Sequence, residues 1–170
     1  MTRRNLVIVR HAKADRPPGV ADVDRALTAR GHADAAAAGA WLAENGYLPD
    51  VVLCSPTRRT RQTWHDLAMA LSEQSHGHAP TVTYAREVYD GNAAALLNLL
   101  HRVDPLARTV MIVGHNPMIS AFAAQLDPGA RLDSDGLRTS GIAVHAIAGE
   151  WDQIGPGAAA LSAVHTPRAS

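Results

Sequence analysis

The amino-acid sequence predicts a three-layer α/β/α sandwich around a mostly parallel central sheet with an antiparallel edge. Three observations carry that expectation. Short apolar runs of β type alternate with stretches whose apolar residues recur at helical spacing. One run, Thr109-Val110-Met111-Ile112-Val113, has the unbroken apolar character of a parallel strand covered on both faces. Two further β-type segments close the chain around Trp151 and a turn rich in Gly and Pro.

In chain order, the first strand spans about Leu6 to Arg10 and gives way to a polar, Pro-containing loop from Ala12 to Ala26. Thr28 can cap a helix running to about Asn45, and Gly46 stands where a left-handed residue would end it. Val51-Val52-Leu53-Cys54 forms the second strand, broken at Ser55-Pro56 and followed by a helix with Trp64, Leu67, Ala68 and Leu71 on one face. Beyond a polar connector, Ser72 to Ala79, Val82 to Tyr84 gives a weak strand signal, and Asn92 can cap a helix carrying Leu96, Leu97, Leu99, Leu100 and Val103. After the Thr109 to Val113 strand, Gly114 lets the chain turn, and Asn116-Pro117 reads as N-cap and first residue of a helix to about Leu126. Ser140 to Ile147 and Ala160 to His165 are the closing pair. All of this fits one domain over 1–170, with fraying expected from about residue 166 onward.

Composition narrows the function. The 170 residues carry 16 Lys and Arg against 16 Asp and Glu, so no broad electrostatic footprint for nucleic acid or an acidic membrane is expected. No apolar stretch approaches the roughly 20 residues of a spanning helix. With Cys54 as the one cysteine there is no internal disulfide framework, and a reducing cytoplasm is the expected compartment.

In a sheet of this kind, ligands bind beyond the carboxyl ends of the strands, so residues that follow separate strands converge there. The convergent set is Arg10 and His11 after the first strand, Ser55 to Arg59 after the second, and Gly114-His115-Asn116 after the fourth. Such a set suits phosphoryl transfer. That reaction asks for donors around the equatorial oxygens and a nucleophile in line with the leaving atom. Arg10, Arg59 and His115 can supply the donors. His11 can be the nucleophile, kept neutral by the guanidiniums beside it.

These residues sit in segments that resemble the histidine phosphatase superfamily, also called phosphoglycerate-mutase-like. Its Arg-His-Gly/Ala hallmark, the RHG motif, is similar to Arg10-His11-Ala12, and its Leu-Thr-x-x-Gly helix entry to Leu27-Thr28-Ala29-Arg30-Gly31. Its Ser-Pro-x-x-Arg-x-x-Gln-Thr segment is similar to Ser55 through Thr63, and its Gly/Ser-His-x-Pro segment to Gly114-His115-Asn116-Pro117. The resemblance implies the phosphoglycerate-mutase-like fold and a phosphate pocket of Arg10, His11, Arg59 and His115 in which His11 transiently becomes phosphohistidine. The brief stretch from Tyr84 to Asn92, with Arg25-Ala26-Leu27-Thr28 and Arg138 to Ile142, looks most like the short SixA-type branch. That branch acts on phosphohistidine in protein phosphotransfer domains. Small phosphomonoesters are the alternative substrates, and a pocket that binds a phosphorylated partner without turnover is the alternative class. Larger relatives supply a carboxylate acid, for which Glu87 stands in the corresponding region and Asp15, Asp22, Asp24 and Asp90 are rivals. A phosphoramidate nitrogen can take its proton from solvent, so the short branch has less need of such an acid. Arg58 and Arg61 fall outside the motif's arginine position and read as solvated charges.

Other chemistries fit less well. Four residues separate Cys54 from Arg59 and six separate it from Arg61, which misses the register of a cysteine-dependent phosphate loop and leaves Cys54 as a buried small hydrophobe. His76, His78 and His32 lack accompanying cysteines or carboxylates in a ligand pattern, so neither metal nor cofactor is expected. Neither a Walker-type Gly-x4-Gly-Lys segment nor a Gly-x-Ser-x-Gly elbow is present.

Overall fold

The computed structural model describes residues 3–130 and 132–169. Its elements run β1 (Arg4–Arg10), α1 (Ala29–Glu44), β2 (Val51–Cys54), α2 (Arg58–Ser72), β3 (Thr81–Tyr84), α3 (Glu87–Asp90), α4 (Ala93–His101), β4 (Thr109–Gly114), α5 (Met118–Leu126), β5 (Ile142–Ile147) and β6 (Ala159–His165). The six strands form one sheet in the order β3-β2-β4-β1-β5-β6. The first four in that order are parallel, whereas β5 runs antiparallel to β1 and β6 antiparallel to β5. The mostly parallel sheet and its antiparallel edge are therefore as the sequence pattern implies.

Alternation along the strands builds the three layers, because successive side chains of a strand leave on opposite faces. Leu6 and Ile8 of β1, Leu53 of β2, and Val110 and Ile112 of β4 join Leu96, Leu100, Ile119, Phe122, Leu126 and Trp151 on one side. Val7, Val9, Val52, Cys54, Met111 and Val113 meet Ala38, Leu42, Trp64, Leu67 and Leu71 on the other. Both faces of the central strands are thus sealed, which explains runs with no polar break. Phe122, the chain's one phenylalanine, is fully buried. By contrast β3 is an edge strand with Thr81, Thr83 and Tyr84 exposed, and its sequence signal is correspondingly faint.

Local chemistry sets the element ends. The Thr28 hydroxyl accepts from Gly31 N–H at 2.9 Å at the start of α1, and Asn92 caps α4 through Ala95 N–H at 2.9 Å. Gly46, with φ of 76°, ends α1 as expected. Two expectations shift. Asn116 is not the cap of α5, which starts at Met118; its side-chain amide instead donates to Leu137 O at 2.7 Å, and its Oδ1 accepts from Ser120. β5 begins at Ile142 rather than Ser140, since Ser140 has φ of 62° and lies in a turn closed by Gly141 N–H to Arg138 O. The 12–26 loop after β1 also contains a 3-10 turn at Asp22–Asp24, and the brief stretch from Tyr84 to Asn92 contains α3. Past β6, contacts continue through residue 169: Pro167 is buried, Arg168 donates to Thr139 O, and Ala169 N–H reaches Asp34 Oδ1 at 3.0 Å.

Gly31 shows why α1 begins as it does. A Cβ there would stand 2.1 Å from the backbone oxygen of Lys13, so only glycine lets the first turn of α1 approach the segment leaving β1. Gly31→Ala is expected to cost about 1–3 kcal/mol, as overpacking against immovable backbone does. A urea titration that gives an unchanged midpoint would contradict this reading.

Candidate active site

β2, β4 and β1 are neighbours in the sheet, with Cys54 paired to Val113 and Arg10 to Gly114. Parallel strands about 4.8 Å apart therefore deliver the residues beyond their carboxyl ends to one place. His11 follows β1, its N–H bonded to Gly114 O at 3.0 Å, and His115 follows β4. Their ring centroids lie 5.3 Å apart, tilted by 55°. Arg59 enters from the first turn of α2. The strand-end histidines and Arg59 are buried, each below one-tenth exposed, and Arg10 is partly buried.

The hydrogen bonds of His11 fix its tautomer. Its Nδ1 lies 2.8 Å from Ala12 O, and a carbonyl only accepts, so Nδ1 carries the proton. Nε2, with no hydrogen-bond partner among the described residues, keeps a free lone pair. Burial, and then the Arg59, Arg10 and Arg25 charges, bring the His11 pKa from 6.5 down to about 4, against an opposing effect of the Ala12 bond. His115 falls to about 3, first through burial and then through His11 and Arg59. Both rings are neutral near pH 7. His115 Nε2 pairs with the Ser55 hydroxyl at 2.8 Å, leaving Nδ1 without a partner, as are Arg10 Nε and Arg59 Nε. Arg10 donates through Nη1 to Leu137 O at 3.1 Å.

Hydroxyl and amide groups of α2 lock this arrangement. Thr63 Oγ1 accepts from Ala12 N–H at 3.0 Å and donates to Arg59 O at 2.7 Å, tying the residue after His11 to the residue that bears the guanidinium. Gln62 Oε1 accepts from Leu27 N–H at 2.8 Å, holding the far end of the 12–26 loop. Ser140 N–H donates to His11 O at 3.2 Å, so the turn before β5 braces the histidine from the other side. Backbone and hydroxyl partners of this sort carry no recognisable identity in a sequence, and the roles of Ser55, Thr63 and Leu137 emerge only from the fold.

Of the carboxylates weighed as acids, Asp22 is the one in contact with the cluster. Arg59 donates to Asp22 O at 2.7 Å and to Asp22 Oδ2 at 3.0 Å; Tyr89 O–H donates to the same Oδ2 at 2.8 Å, and Arg25 reaches Oδ1 at 3.2 Å. Tyr89 in turn sets its ring edge-on to His115 at 5.5 Å. The Tyr89 bond, with those of Arg59 and Arg25, holds the Asp22 carboxyl well below the usual carboxylate range, so it is ionised near neutrality and has no proton to give. Glu87 opens α3, partly buried, and its carboxylate makes no hydrogen bond or ion pair among the described residues. Asp90 is paired with Arg86 at 2.9 Å, and Asp15 and Asp24 are exposed. Away from the cluster, His32 pairs with Asp66 at 2.7 Å and His78 with Asp50 at 3.1 Å, while Cys54 is buried.

Two guanidiniums and two neutral imidazoles gathered at the strand ends can hold a tetrahedral oxyanion and present Nε2 of one ring to its centre. Asp22 competes with any such anion for the Arg59 guanidinium. Asp22→Asn, which removes that competing charge, is expected to tighten binding of inorganic phosphate by about three- to tenfold in calorimetry. Weaker binding would make Asp22 a support of the site instead.

The chain has clear relatives. The model of the histidine phosphatase superfamily (branch 1) matches residues 6–80. An uncharacterized protein of Mycobacterium tuberculosis is 38% identical over 167 residues, covering 94% of this chain and 100% of the relative. A solved structure from Nakamurella multipartitia, assigned as the phosphohistidine phosphatase SixA, is 35% identical with a TM-score of 0.80, covering 97% of this chain and 96% of the other. A protein histidine phosphatase SixA complexed with tungstate shares the fold, at TM-score 0.79 and 21% identity, with 96% of this chain and 97% of the other covered.

Proposed function

Because this chain belongs to the histidine phosphatase superfamily, in its SixA-type branch, we propose that it removes phosphoryl groups from phosphohistidine in proteins, through a phosphohistidine intermediate on His11. The observation that carries the proposal is the free Nε2 of a buried, neutral imidazole whose Nδ1 is tied to Ala12 O, beside a second imidazole and under the charges of Arg59, Arg10 and Arg25.

In the first step the Nε2 lone pair attacks phosphorus, the bond from phosphorus to the substrate's nitrogen breaks, and that nitrogen takes a proton. Arg10, Arg59 and His115 stabilise the charge on the equatorial oxygens, the guanidiniums through paired N–H donors and His115 through its unpartnered ring nitrogen. In the second step water attacks phosphorus, the bond from phosphorus to Nε2 breaks and returns its electron pair to the ring, and phosphate leaves with the water's protons, so that His11 is again neutral with Nδ1 protonated. The leaving imidazole is basic enough to draw its proton from water, so this cycle runs without a strong acid and without a metal. Glu87 keeps the role of proton donor for phosphate esters, whose departing oxygen needs one. The substrate class and the free thiol of Cys54 fit an enzyme of the cytoplasm.

A substrate panel tests the proposal: a phosphotransfer domain phosphorylated on histidine, sugar phosphates and a simple aryl phosphate. The phosphohistidine protein is expected to give the highest kcat/KM. Equal or greater efficiency on the esters would assign a small-molecule phosphomonoesterase instead.

A further inference from the structure

α2 presents two faces to its surroundings. Arg59 and Thr63 are buried on the inner side, Thr63 against Ala12, whereas Arg58, Arg61, His65 and Met69, spaced three or four residues apart, form an exposed stripe along the outside of the same helix. Its first part borders a depression of about 290 Å³ lined by His32, Arg58, Arg61, Gln62 and His65. Neither Arg58 nor Arg61 has a carboxylate within ion-pair distance among the described residues, while Asp66 on this helix is taken by His32. Met69 is 61% exposed at the stripe's far end.

From this geometry, and resting on the function proposed above, we infer that the Arg58–Arg61–His65 stripe is a docking surface for an acidic face of the protein that carries the phosphohistidine. The chain has zero formal charge, so a pair of uncompensated guanidiniums on the outside of the helix whose inner side carries Arg59 is a local feature and not an overall bias. Arginine and methionine are also residue types enriched where proteins meet, and Met69 extends the charged stripe with an apolar contact. Gln62, which lines the depression and holds Leu27 N–H, joins the stripe mechanically to the 12–26 loop. A partner seated on the stripe thereby lies on the helix that supplies Arg59 to the site. Small esters are too short to reach it.

Two synthetic phosphohistidine peptides test the assignment, one with glutamates flanking the phosphohistidine and one with glutamines in their place. The wild-type protein is expected to hydrolyse the acidic peptide with about tenfold higher kcat/KM at low salt, mostly through KM, and to lose the preference as salt rises. Arg58→Glu/Arg61→Glu is expected to abolish the preference while aryl phosphate turnover stays within about twofold, which also verifies folding. Hydrolysis of both peptides with no charge preference, or a preference retained in the double variant, overturns the docking surface and leaves the phosphatase reading intact. Turnover of aryl phosphate with neither peptide hydrolysed overturns the phosphohistidine reading and the docking surface together. Inhibition by a single-stranded oligonucleotide but not by polyglutamate, lost in the double variant, would reassign the stripe to nucleic acid.

Discussion

His11→Ala is expected to lower kcat by at least about 10⁴-fold on any substrate the protein turns over, equivalent to about 5 kcal/mol or more of barrier. The size follows from the proposed chemistry, in which His11 is the nucleophile: His115 has its Nε2 on Ser55 and turns its other ring nitrogen to the phosphoryl oxygens, and Asp22 has its carboxylate on Arg59 and Tyr89. The fold should survive, since His11 contributes one side-chain bond, to its own neighbour's carbonyl. Intact-protein mass spectrometry at neutral pH should reveal a phosphoryl adduct on the wild type and none on the variant, while calorimetry should find inorganic phosphate still bound through Arg10, Arg59 and His115. Residual turnover within tenfold of the wild type would sink the covalent route. Full loss of turnover with no adduct ever seen on the wild type would point to His11 acting as a base.

Mild acid is expected to destabilise the protein strongly. His11 and His115 titrate near 4 and 3 in the fold but at their ordinary 6.5 when unfolded, with burial as the main cause in both. His145, buried and bonded to Ala159 O, is shifted in the same direction by burial. The unfolded chain therefore binds more protons between these values, and stability rises with pH across that window. Full stability is present above about pH 6.5 and is lost progressively as pH falls towards 4, at up to about 3 kcal/mol for each of the His11 and His115 imidazoles. Against a typical total of about 5–15 kcal/mol that is a large share. Asp22 adds to the loss only below the usual carboxylate range, because its pKa is held down. Melting temperatures at pH 7, 5.5 and 4.5 should fall in order, and His11→Ala should fall less steeply. A melting temperature flat from pH 7 to 4.5 would show the two rings to be better solvated than the fold implies.

Most of the scaffold was legible because the central strands are sealed on both faces and so write themselves as unbroken apolar runs. The convergence of Arg10, His11, Arg59 and His115 followed from strand ends alone once the sheet was parallel. What stayed hidden has two physical sources. Partners contributed by backbone, such as Leu137 O for Arg10 and Ala12 O for His11, depend on where the chain passes and not on which residue passes there. Exposed aspartates in the 12–26 loop look alike in a sequence; a 3-10 turn carries Asp22 to Arg59, and it differs from Asp24 of the same turn because its own carboxylate meets Arg59 and the Tyr89 that α3 brings from 67 residues away. Asn116 misled for a related reason: an amide before proline suits a cap, yet the neighbouring Leu137 carbonyl and Ser120 claim it.

The tether of Asp22 to Arg59 bears on how the catalytic cycle closes. On the proposed route the last event is departure of phosphate from a cluster of cations that would otherwise retain it. A carboxylate on a short leash, able to reoccupy the guanidinium as soon as the anion loosens, turns that departure into an exchange of one negative partner for another. The enzyme would then resist product inhibition without giving up the positive charge its chemistry requires.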